Sequence, residues 1–106
     1  MKVVKTFIVI DPHGLIFKKQ ESGELENLQK YVCGYIELLF MSNKWTVYVN
    51  EEGLLLRLKR NYLAEEILFD ITGVQSQVYG SAIILGFNER SLTEKQVELI
   101  FSKCRV

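Results

Sequence analysis

Residues 3 to 10 form a β-prone run of Val, Lys, Thr, Phe and Ile that stops at Asp11-Pro12-His13-Gly14, where Asp, Pro and Gly occupy the positions a type I turn favours. The return segment Leu15-Ile16-Phe17-Lys18-Lys19 predicts a hairpin that fades into the polar Glu21-Ser22-Gly23. Leu25, Leu28 and Val32 then recur at helical spacing and predict a short helix, with Ser22 as its cap and Gly34 in the left-handed position past its end.

Tyr35 to Phe40 and Trp45 to Asn50 are β-prone, and the short connection Met41-Ser42-Asn43-Lys44 makes them antiparallel neighbours. In the second run Trp45, Val47 and Val49 alternate with Thr46, Tyr48 and Asn50. A pleated strand sends the two sets to opposite faces, so the first set belongs to the core and Tyr48 to an exposed face. Asn50-Glu51-Glu52-Gly53 makes a turn, after which Leu54-Leu55-Leu56 is expected to start a brief strand. Tyr62 to Leu68 is helix-prone, with Asn61 as its cap and Gly73 limiting its extent.

Val74 to Phe87 is expected to be extended, with Gly80 at a bulge or close backbone contact and Ile83-Ile84-Leu85 at the buried centre. At the C-terminal end Thr93 and Gln96 have capping-box spacing, and Leu92 with Val97 forms a hydrophobic staple. Val97, Ile100, Phe101 and Cys104 complete the buried stripe of the last helix. The elements together predict an α+β fold: a mostly antiparallel sheet of about six strands with two to three short helices packed on it. No linker or repeat divides residues 1–106, so a single domain is expected.

Composition narrows the function classes. Thirteen Lys and Arg balance thirteen Asp and Glu without a long run of either sign, so a nucleic-acid partner is not expected. Lys18, Lys19, Arg57, Lys59 and Arg60 fit solvated edges and loops better than one basic patch. Cys33 and Cys104 each lie in an apolar pattern, which predicts reduced, buried thiols in a cytoplasmic setting. No segment approaches the roughly 20 apolar residues of a membrane helix, and no secretory signal is expected. The composition leaves room for a homodimer in which two copies share a sheet.

Candidate chemistry is sparse. His13 is the sole histidine and sits in a turn, two cysteines cannot furnish a zinc set, and Glu51-Glu52 lacks the spacing of a calcium loop. Gly73, Gly80 and Gly86 fit no phosphate-loop pattern. No catalytic residue, metal or cofactor is therefore expected. The candidate binding residues form a polar ridge of Tyr48, Asn50, Glu51, Glu52, Arg60 and Asn61, with Tyr48 as its aromatic anchor.

The segment Leu28 to Gly53 resembles the family known as domain of unknown function 3846. The likeness lies in Val32-Cys33-Gly34-Tyr35-Ile36-Glu37, in Val49-Asn50-Glu51-Glu52-Gly53, in the Gly80 to Gly86 strand and in Ser91-Leu92-Thr93-Glu94-Lys95-Gln96. A Pro-Asn-Arg segment of the family falls at Arg60-Asn61-Tyr62, where only the asparagine agrees. The resemblance implies a small accessory protein of viral or mobile-element origin. The expected function is a non-enzymatic interaction protein in the host-cell cytosol that binds a host or viral protein partner and modulates a host process. The alternative is a small-ligand or nucleotide-binding domain.

Overall fold

The computed structural model describes residues 3–103. The β-prone runs form five strands: β1 Val4–Ile10, β2 Ile16–Ser22, β3 Ile36–Met41, β4 Trp45–Asn50 and β5 Ala82–Gly86. They lie in one sheet in the order β2-β1-β5-β4-β3, and every neighbouring pair is antiparallel. Helices α1 Leu25–Val32, α2 Tyr62–Thr72 and α3 Glu94–Lys103 complete the α+β architecture that the sequence pattern predicts.

Both faces of the sheet are covered. On one face Ile8, Ile10, Trp45, Val47 and Ile84 pack against Ile67 and Leu68 of α2 and Ile100 of α3. On the other, Phe7, Val9, Ile83 and Leu85 pack against Leu28 and Val32 of α1. Trp45, Val47 and Val49 are buried, as their alternation requires. Their alternates do not face open solvent, because Thr46 is buried and Tyr48 is half-buried against the α1 layer. The Thr46 hydroxyl is satisfied there, donating to the Gly86 carbonyl (2.8 Å) and accepting from the Glu89 amide (3.2 Å).

The α3 capping box forms as expected. The Thr93 amide donates to Gln96 Oε1 (3.0 Å), and the Gln96 amide donates back to Thr93 Oγ1 (3.1 Å). Leu92 is buried beneath it, but Phe101 is exposed, because the inward stripe of α3 ends at Ile100 within the described residues. Cys104 lies outside those residues.

Other expectations are corrected. Ser22 does not cap α1: its hydroxyl accepts from the Glu24 amide in the preceding turn, and Glu24 at the cap position makes no side-chain cap bond. The left-handed residue at the end of α1 is Cys33, with φ of 60°, not Gly34. Cys33 is exposed, so it is not the buried thiol its apolar surroundings suggested. Gly34 has a different reason to lack a side chain, since a Cβ there would stand 2.9 Å from the Asn50 amide nitrogen. Leu54-Leu55-Leu56 is a turn instead of a strand, and Val74 to Val78 is irregular, leaving only Ala82–Gly86 of the long extended segment in the sheet.

Candidate functional site

The expected ridge is divided between interior and surface. Asn61 is fully buried; its side-chain oxygen accepts from the Ala64 amide (3.0 Å) and so caps α2. Its Nδ2 donates to the carbonyls of Ile10 (2.8 Å) and Gly80 (2.9 Å). Asn50 is also buried, donating from Nδ2 to the Val32 carbonyl (2.8 Å) and accepting from the Glu52 amide (2.7 Å). A buried amide leaves the surface only when its polar atoms find partners, and both of these have done so. Neither side chain is available to a ligand, so both leave the expected recognition surface.

Tyr48 points into the α1 layer, away from Asn61. Partial burial, with the Glu89 carboxylate second, pushes its hydroxyl above the ordinary phenol range. Glu51 and Glu52 are exposed in the turn, as expected. Arg60 is half-buried and already engaged, its guanidinium meeting the Glu65 carboxylate in two hydrogen bonds (2.8 and 3.0 Å) and lying 4.9 Å from the Tyr62 ring centroid. Glu65 also accepts from the Val78 amide (3.0 Å). The Arg60 hydrogen bond, assisted by that amide, holds the Glu65 carboxyl below its ordinary range against the opposing effect of burial.

This ion pair floors a groove of about 660 Å³ along α2. Tyr62 and Phe69 stand on its helical side, while Gln75 and Gln77 from the irregular segment form the opposite wall. The Tyr62 side chain is 67% exposed. Neither residue belongs to the expected ridge: Tyr62 opens the segment expected to be helical, and Phe69 lies just beyond it. Their seven-residue spacing was the available signal: two helical turns place them on one face, apart from the buried Ala64, Ile67 and Leu68.

A second apolar feature adjoins the groove. Leu54 and Leu55 are 69% and 76% exposed at the tip of the turn. Backbone bonds from Leu56 to the Glu52 carbonyl (2.8 Å) and from Leu58 to the Gly53 carbonyl (2.9 Å) hold this tip in shape. Gly53 lets the turn pass beneath Tyr79, whose carbonyl oxygen would lie 2.7 Å from a Cβ at that position. Leu54, Tyr79 and Leu39 of β3 surround a smaller hollow of about 250 Å³, and Gln77 lines both hollows.

Among the described residues, no three His, Cys, Asp or Glu side chains come together as a metal set, and no helix is long and apolar enough to cross a membrane. The arrangement can therefore be described as an aromatic groove with a neutralised floor beside an exposed leucine turn. No curated protein matches the chain, and no solved structure does. The family model described as domain of unknown function (DUF3846) matches residues 3–105, nearly the whole chain, and by that match the protein belongs to this family.

Proposed function

We propose that the protein is a small non-enzymatic interaction module that captures a host or viral protein partner through the groove along α2, and thereby modulates a host process. The observation that carries this reading is the exposure of Tyr62 and Phe69 on one wall of that groove. Aromatic side chains combine large apolar area with few rotatable bonds, and such anchors dominate the energetics of protein contacts. The amides of Gln75 and Gln77 supply donors and acceptors opposite them, as in an interface whose apolar centre is framed by polar groups.

A small anionic ligand is the weaker reading, because Arg60 already spends its fork on Glu65. An origin in a virus or mobile element and a place in the host-cell cytosol belong to the same proposal. The test is affinity capture from host cells with the wild type and a Tyr62→Ala/Phe69→Ala variant. Both side chains project from the helix surface, so the variant should unfold at nearly the wild-type denaturant midpoint while losing at least tenfold in partner recovery. Undiminished recovery by the folded variant would move the site away from the groove.

A further inference from the structure

The two edges of the sheet are built differently. β2 carries Lys18, Lys19, Gln20 and Glu21 along its length, whereas β3 has Glu37 as its sole charged residue among Ile36, Leu38, Leu39, Phe40 and Met41. Charged side chains, lysine above all, guard an edge against further pairing, and an apolar edge with free backbone groups invites it. Among the described residues β4 is the one strand neighbour of β3, and none of them partners the outer row of β3 amides and carbonyls in the sheet.

Side chains specify what could fill that edge. Leu38 and Met41 pair with Tyr48 and Thr46, which places them on the α1 face, and both are exposed. On the opposite face Leu39 lies beside the exposed Leu54. An added strand would meet apolar groups on both sides, so it must be an extended segment that is itself apolar on both faces. β3 is such a segment.

We propose that β3 pairs antiparallel with β3 of a second copy of this chain, joining the two sheets across a two-fold axis. Such an interface is self-complementary by symmetry. With the axis at Leu38, each Glu37 lies opposite apolar Leu39 and Phe40 of the other strand, and the two carboxylates are offset by roughly 7 Å along the strands. The chain carries no net charge, so no long-range repulsion opposes the approach. The β-bulge between Leu38 and Phe40 interrupts the ladder once. Pairing is therefore short, and the leucine contacts carry much of the association, which places the dissociation constant at roughly micromolar.

Leu38 lies on the α1 face, across the sheet from the α2 groove, so its test does not depend on that groove. Sedimentation should be measured from low to high micromolar protein under reducing conditions, so that exposed Cys33 cannot cross-link the copies. The wild type should pass from monomer to dimer, and hydrogen exchange of the β3 amides should slow with rising concentration. Leu38→Lys should raise the dissociation constant at least tenfold with an unchanged denaturation midpoint, while Phe17→Lys on the β2 edge should leave the dimer intact. The proposal fails if the wild type stays monomeric throughout, if Leu38→Lys dimerises normally, or if β3 exchange is indifferent to concentration.

Discussion

Asn50 and Asn61 tie the two helical layers to the same sheet from opposite faces. Asn50 closes β4 and reaches the Val32 carbonyl at the end of α1, while Asn61 opens α2 and reaches back to β1 and to Gly80. The first tether has two hydrogen bonds and depends on a bare glycine at position 34. The second has three, includes a helix cap, and is followed by the Arg60-Glu65 pair that fastens the Val78 amide. The difference teaches that the α2 layer is pinned through the side chains of its own first turn, whereas the α1 layer is pinned through a loop that must come close enough to be reached.

The strongest way to break this contrast is Asn61→Ala. It removes the cap and deprives two buried carbonyls of a donor, so the domain should lose about 3 kcal/mol in denaturant unfolding. A loss below about 1 kcal/mol would show that Asn61 is not the principal tether. Asn50→Ala should cost less, about 2 kcal/mol, because it withdraws two bonds and no helix cap. Gly34→Ala sharpens the comparison, since its methyl would displace the same Asn50 amide. The two substitutions should therefore be strongly non-additive in a double-mutant cycle. Additive losses would mean that Gly34 serves something other than Asn50.

The smallest expected effect concerns pH. Glu65 has a folded-state pKa below its ordinary value of 4.5, so its contribution is complete above that value and is lost as pH falls through the lower folded one. The charged pair is partly solvated, so its contribution is smaller than that of either asparagine. Glu65→Gln should lower stability at neutral pH and flatten the acid limb of the stability curve relative to the wild type. An acid limb identical in both proteins would assign the pH dependence to other carboxylates, with Glu21 first among them, since its carboxylate accepts from Tyr31 (2.6 Å) and its pKa is likewise lowered.

Local pattern made much of the fold legible. The alternation around Trp45, the Asn61 cap, the Gly73 stop and the Thr93-Gln96 box each depend on neighbours in sequence, and each appears where its spacing puts it. The candidate site was less legible, because exposure depends on what the rest of the chain covers. Asn50 and Asn61 have the composition of surface recognition residues, yet their partners Val32, Ile10 and Gly80 lie 18 to 51 positions away. Tyr48 alternates correctly with the core residues, but α1 returns over its face. Leu54 to Leu56 has the hydropathy of a strand and stays outside because the turn closes on its own backbone.

The position of β5 has a consequence for how the chain reaches this state. β1 with β2 and β3 with β4 are hairpins that can form from nearby residues, but in the sheet they are joined through β5, whose partners Ile8 and Val47 are far upstream of Ile84. Closure over such separations carries a large entropic cost before any contact rewards it, so folding should be slower than in a helical protein of equal length. During synthesis the two hairpins would wait with Ile8, Ile10 and Val47 uncovered until residues 82–86 leave the ribosome. That interval is when the chain is most open to aggregation or to a chaperone.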